Sequence, residues 1–312
     1  LLVAGRCPRR FKRLGRWGFL EGGVDMKDIL SLGAGVQSTC VLLMSCKGVL
    51  PTLDAAVFAD TGWEPKAVYR HLEWLEGEAK KAGIPTFRVG SPTIKEDALK
   101  AAMRNRNEIG KVDSVHLPYY TKEEGAIKKG IIRRQCTVEY KIYPMEKFMR
   151  REILGLRKGQ RAPREAVINL WFGISADELR RTRISKNRWC VNVYPLPGLP
   201  DQMLPKAYTR HDCSIWMHEN YPEINPPRSA CVCCPFHSNA EWRRMRDETP
   251  DEWVDAVDFD RTIRNSGGLK GKLYLHNDCV PLDLVDLSTA EDHGQGDLFD
   301  GFRDECMGVC SV

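Results

Sequence analysis

The chain has 312 residues, 42% of them hydrophobic, and a formal net charge of +5. That is enough for one large α/β domain or two smaller ones, and no apolar run reaches the roughly 18 residues a membrane helix needs. The first 25 residues hold six Arg/Lys against Glu21 and Asp25, so the body is near neutral, which argues against a basic nucleic-acid scaffold.

Residues 1–25 lack the apolar core of a signal peptide. Met26 stands just before the first apolar strand, and Glu21-Gly22-Gly23-Val24 is what a purine-rich ribosome-binding sequence would encode if translated. The basic leader is therefore read as unstructured or non-native. Twelve cysteines without a secretory signal point to metal or redox chemistry in a reducing cytoplasm rather than to a disulfide scaffold.

In chain order, Ile29–Leu32 reads as a strand and Val36–Met44 as a helix, joined by a glycine loop. Leu53–Ala59 is a second strand, ending in Asp60-Thr61-Gly62. A helix over Pro65–Ala82 carries one apolar face and stops at Gly83. Thr86–Val89 is a third strand. Residues 100–135 are polar and basic and read as an excursion or lid. Glu165–Phe172 is another strand, ending at Gly173. Strand–helix alternation predicts an α/β fold with a doubly wound, mostly parallel sheet over residues 26–195. Prolines at 195, 197 and 200 mark a linker. Beyond it, residues 196–312 are expected to form a Cys-rich, mainly helical region with a cysteine-bearing tail. Thr209-x-x-Asp212 and Thr249-x-x-Glu252 predict capping boxes there.

Four stretches carry chemistry. In Ser31-Leu-Gly33-Ala34-Gly35-Val-Gln37-Ser38-Thr39, the glycines permit a tight turn and close approach of a ligand. The helix that follows offers free N–H groups to a phosphate. The loop lacks the Lys of a Walker A motif, and an ordinary strand-to-helix connection is the alternative. Asp60-Thr61-Gly62 lies at the carboxyl end of its strand, where doubly wound sheets bind ligands; it is also good turn chemistry. Arg133-Arg134-Gln135-Cys136, with Lys141, sets three cations around a thiol, or forms a solvated helix start. Gly173-Ile-Ser-Ala-Asp-Glu178-Leu-Arg-Arg181 places Glu178 and Arg181 one turn apart at the same sheet edge, or as a surface ion pair.

This order of motifs resembles the phosphoadenosine phosphosulfate reductase family of the PP-loop (adenine nucleotide alpha hydrolase-like) superfamily, over roughly residues 28–240. The resemblance implies an adenine-nucleotide site. Ser31, Gly33, Ala34, Gly35, Gln37, Ser38 and Thr39 would cradle phosphates, and Asp60, Thr61 and Gly62 would line the adenosine pocket. Arg133, Arg134, Lys141, Glu178 and Arg181 would hold the substrate anion. Gln37 stands where ATP-cleaving relatives carry Asp, so Mg is expected only if ATP is cleaved. The tail Glu305-Cys306-Met307-Gly308-Val309-Cys310 is similar to the reductases' catalytic tail. Cys306 would attack sulfur, Cys310 would resolve it, and a thioredoxin-like or other thiol donor would release sulfite.

Cys231 and Cys234 form a C-x-x-C before Pro235, half of a metal site. Cys136 is the third candidate ligand, because the family packs that segment against the same sheet edge, and Cys279 the fourth; Cys190, Cys213 and His237 are reserves. A [4Fe–4S] cluster, a zinc ion or unligated thiols all fit this pattern. The C-x-x-C insert and the basic excursion support a second expectation, ATP-dependent thiolation of tRNA or DNA. No membrane partner is expected.

Overall fold

A computed structural model describes residues 26–90, 94–103, 117–125, 127–198, 203–265, 271–289 and 291–294. The leader and the tail cysteines Cys306 and Cys310 lie outside the described residues.

Five parallel strands form the main sheet: β1 (Lys27–Leu32), β2 (Ala55–Ala59), β3 (Thr86–Val89), β6 (Ile168–Phe172) and β7 (Cys190–Val193). Their order is β3-β2-β1-β6-β7. The chain winds outward from β1 to β3, then returns to place β6 on the other side of β1. The order thus reverses between β1 and β6, and a crevice opens beyond their carboxyl ends. Register brings those ends level, since Ser31 pairs with both Val57 and Phe172.

Alternate side chains point to opposite faces of a strand, and both faces are buried. Leu30, Leu32, Ala56, Phe58 and Trp171 pack with α1 (Val36–Cys46), α2 (Lys66–Lys81) and α5 (Arg210–Asn220). Ile29, Ala55, Val57, Ile168, Leu170 and Phe172 face Met145 and Met149 instead. Those methionines belong to a helical stretch built from α4 (Tyr143–Phe148) between π-helical turns at Thr137–Ile142 and Met149–Ile153. The fold is therefore α/β with helices on both faces, as the strand–helix alternation predicts. Residues Val36–Ser45 of α1 are all buried, each large apolar side chain contributing about 1.5–3 kcal/mol.

A second, antiparallel sheet joins β4 (Tyr120–Lys122), β5 (Gly130–Ile131) and β8 (Lys272–Tyr274) in the order β5-β4-β8. Part of the basic excursion thus pairs with a strand about 150 residues later. With α3 (Ile94–Met103), α6 (Asn239–Glu248) and α7 (Pro250–Ile263) it encloses a separate apolar cluster around Trp63, Trp242 and Phe259.

One local expectation needs correction. The Thr209–Asp212 capping box forms, but Thr249 does not cap α7. Its hydroxyl donates to the Met245 carbonyl of the preceding helix, and Glu252 accepts the Lys66 backbone N–H. The second capping box is instead Ser238–Glu241, at the start of α6. Just before the proline linker, Cys190–Val193 pairs with β6 as the edge strand. Among the described residues, no helix is long and apolar enough to cross a membrane.

Candidate functional site: a glycine-loop cavity beside three thiols

The loop after β1 turns through Ala34, whose φ of 57° is left-handed, while Gly35 is the extended N-cap of α1. Sequence reasoning assigned the turn to the glycines, but the left-handed residue is Ala34, and a Cβ at Gly33 or Gly35 would make only ordinary contacts, at 3.5 Å and 3.7 Å. A left-handed alanine costs about 1–2 kcal/mol, and the loop holds it by folding on its own side chain. The Gly33 N–H donates to Ser38 Oγ at 3.1 Å, and that hydroxyl donates to the Gly35 carbonyl at 3.3 Å. No side chain caps α1, and no acidic residue sits in its first turn. Its N-terminal dipole is left for an anion. Across the crevice, a Cβ on Gly173 would lie 2.4 Å from the Ser38 nitrogen. Only glycine lets the end of β6 close on the loop.

This junction opens into a cavity of about 630 Å³, within the roughly 300–1,000 Å³ of small-molecule sites. Ser31, Gly33, Gly35, Gln37 and Ser38 line it; Ala34 and Thr39 do not. Thr39 is buried, its hydroxyl 3.0 Å from His71 Nε2. Lys141, Arg181, Arg183, Lys186, Arg210 and Arg228 also line the cavity, against the carboxylates Glu146 and Glu178. Both carboxylates are held by the protein. Glu146 accepts from Asn187 at 2.7 Å. Glu178, 2% exposed, pairs with Arg181 and accepts from Gln37 Nε2 at 3.1 Å. Gln37 also donates to Ser175 Oγ at 3.4 Å. The one-turn spacing of Glu178 and Arg181 is realised on a short 3-10 helix, Ala176–Arg181. The cavity wall is thus net positive, as an anionic ligand requires.

Asp60, Thr61 and Gly62 do not line this cavity. Asp60 Oδ1 accepts from the Gly62 N–H at 2.7 Å and the Tyr69 hydroxyl at 2.8 Å, which builds the turn. Thr61 instead starts a buried polar chain. Its hydroxyl donates to Glu64 Oε1 at 3.1 Å and lies 3.3 Å from Cys231 Sγ. Lys141 Nζ stands 3.6 Å from the same Glu64 oxygen. The Glu64 side chain is fully buried, and its Oε2 has no hydrogen-bond partner among the described residues. Sequence reasoning missed Glu64; a lone acid two residues beyond a turn carries no signal.

Cys136, Cys231 and Cys234 line a second, smaller cavity of about 30 Å³, together with Thr61, Arg134 and Lys141. Lys141 lines both cavities, and Ser229 and Ala230 carry the chain from one to the other. Of the four proposed ligands the structure brings these three together; Cys279 does not line this space. Burial, then Glu64, push the Cys231 thiol well above its ordinary pKa, so in this arrangement it is protonated. Among the described residues, no three His, Cys, Asp or Glu side chains converge on a point where one metal ion would bind. Three thiols and an orphaned buried carboxylate are donors that either a zinc ion or an iron–sulfur cluster could use.

The reserve ligands do other work. His237 Nε2 donates to the Cys231 carbonyl at 3.0 Å, and burial lowers its pKa to about 3, so the ring is neutral. Cys213 is fully buried against Cys40 between α1 and α5. Cys190 lines the large cavity, its thiol raised to about 11 by burial. Arg133 is exposed and lines neither cavity. Arg228, which sequence reasoning did not single out, faces the loop cavity while paired with Glu241. Compared with models of known protein families the chain matches none, and no curated protein sequence matches it significantly. The site's chemistry rests on its own geometry.

Proposed function

We propose that this protein is a PP-loop enzyme that binds an adenine nucleotide at the β1–α1 loop and carries out thiol-dependent sulfur chemistry on it, as a phosphoadenosine phosphosulfate reductase-like oxidoreductase. One observation carries the reading: an uncapped, unneutralised helix N-terminus at the topological switch point, facing a cavity walled by six cations. In this reading Gly33, Gly35 and Ser38 hold phosphate, and Arg181 and Arg228 neutralise the sulfate or second phosphate. A tail thiolate, Cys306, attacks sulfur. The sulfur–oxygen bond breaks and the adenosine phosphate leaves with the electron pair; a donor thiolate then attacks the Cys306 sulfur of the thiosulfonate, sulfite leaves with the S–S electron pair, and the two thiols are left oxidised as a disulfide.

A second reading draws on the thiols beside the cavity. In ATP-dependent thiolation, ATP activates an acceptor base, and sulfur displaces AMP. An iron–sulfur cluster held by Cys136, Cys231 and Cys234 would supply a sulfur or electron relay there. The thiols' place next to the loop cavity favours this alternative, and the carboxamide of Gln37 favours the first.

The test is direct. Anaerobically purified protein is given phosphoadenosine phosphosulfate and thioredoxin, or ATP and tRNA. Sulfite release abolished by Cys306→Ser supports the reductase reading; RNA-dependent AMP formation replaces it with thiolation. Iron and sulfide analysis decides the cluster, and loss of both on Cys231→Ser/Cys234→Ser assigns its ligands.

A further inference from the structure

The chain's small net charge conceals a strong local imbalance. Residues 141–188 hold thirteen Lys/Arg and five Asp/Glu, an excess of eight in a chain whose total is +5. From Leu179 to Pro200 there are five cations and no acid. In the structure Arg181, Arg183, Ile184 and Lys186 of this stretch line the loop cavity. Arg180, Arg183, Lys186 and Arg188 are exposed. None has a carboxylate partner among the described residues; the Arg183 guanidinium donates only to the backbone carbonyls of Arg180 and Thr182.

Apolar side chains stand among these cations. Ile184 is 94% exposed and Tyr143 60%, and both line the cavity mouth. Leu179, in the same basic segment, is 42% exposed. A mononucleotide bound at the glycine loop explains Arg181 and Arg228, but not a row of unpaired cations beyond them. It also leaves unexplained an isoleucine and a tyrosine held in water at the entrance.

We propose that this rim is a docking surface for single-stranded nucleic acid. The backbone follows Arg180, Arg183, Lys186 and Arg188, an unpaired base stacks on Tyr143 against Ile184, and the strand is led into the loop cavity. Each cation releases a counterion from the strand, and an aromatic face accepts any base. Duplex is a poor fit, because its bases are already stacked and cannot meet Tyr143. The surface differs from the basic excursion at 100–135, which sequence reasoning assigned to polynucleotide. The inference rests on the nucleotide reading of the cavity in one respect only, that the strand has a site to enter.

The experiment measures binding of the full chain to labelled single-stranded RNA and DNA oligonucleotides across a salt series, by fluorescence anisotropy. Matched duplex and polyglutamate serve as competitors. The expected result is salt-dependent binding of single strands, with polyglutamate and duplex competing poorly. Arg183→Ala/Lys186→Ala/Arg188→Ala is expected to lower the slope of log affinity against log salt by about 2, at ~0.7 per phosphate contact. Tyr143→Ala is expected to cost roughly tenfold in affinity with the slope unchanged. The RNA and DNA arms decide which strand is preferred. No binding at low salt, an unchanged slope in the triple variant, or equal competition by polyglutamate overturns the proposal; the last result makes the rim an acidic-protein surface. Calorimetry with ATP and with phosphoadenosine phosphosulfate runs in parallel. Oligonucleotide binding without mononucleotide binding keeps the rim and overturns the nucleotide reading of the cavity.

Discussion

Glu178 gives the loop cavity its character. A buried carboxylate facing an anion site is tolerable only because Gln37 and Arg181 engage both of its oxygens. The pairing also aims the Arg181 guanidinium along the cavity wall. Glu178→Ala should cost about 3 kcal/mol by breaking a largely buried pair and should weaken nucleotide binding. Glu178→Gln should keep more of the fold and lose the affinity, which urea titration and calorimetry would separate. Two buried histidines set a pH limit. Burial holds His71 at about 4 and His237 at about 3. Both are below the unfolded value, so the unfolded chain binds more protons between about pH 4 and pH 6.5. Stability is therefore complete above that window and falls as pH drops through it, by up to about 2 kcal/mol per histidine between about pH 7 and pH 5. A denaturant midpoint that does not move over that range would contradict it; His71→Asn should flatten the slope.

Helix starts and strand ends organise the next scale. The end of β6 touches the start of α1 at Gly173, where a methyl group would collide with Ser38 backbone atoms. Gly173→Ala is expected to cost roughly 1–3 kcal/mol and, on the proposed function, to reduce nucleotide affinity far more than a change elsewhere on β6, since it displaces the glycine-loop turn. At α5, Thr209 and Asp212 cap each other's backbone N–H groups. Thr209→Ala should lose about 1 kcal/mol. Those bonds hold the Asp212 carboxyl at about 2, so the cap is fully effective above the ordinary carboxylate value and fades as pH falls from about 4 towards about 2. The failed capping box at Thr249 and the missed one at Ser238 share a cause. Both segments carry an acceptable S/T-x-x-E pattern, and only the packing of α6 against α7 decides which hydroxyl meets a free N–H.

At the scale of the molecule, two distant segments complete one apolar cluster. β4 and β8 pair across about 150 residues, and Leu273, Leu275 and Leu282 fill the core around Trp63 and Trp242. Leu275→Ala should cost about 2–4 kcal/mol and should shift tryptophan fluorescence, because Trp242 is fully buried in the same cluster. Charge segregates at this scale as well. A near-neutral sum for the body hid the basic segment at 141–188, because acids are concentrated elsewhere in the chain.

Local signals were enough for the parallel α/β core. Apolar runs, proline and glycine stops and strand–helix alternation are short-range, and β1, α1, β2, α2, β3 and β6 follow them closely. The glycine loop was legible for the same reason, since its turn is closed by hydrogen bonds among its own residues. Only the tertiary structure decided which side chains meet. Sheet order put Gly173 on Ser38, and the return of the chain put Cys231 beside Thr61 and Glu64 and left Cys279 outside the thiol cavity. It also kept Asp60 out of the loop cavity by using its carboxylate in the turn. Contacts between residues more than a hundred positions apart depend on how layers pack, and no local pattern of residues encodes that.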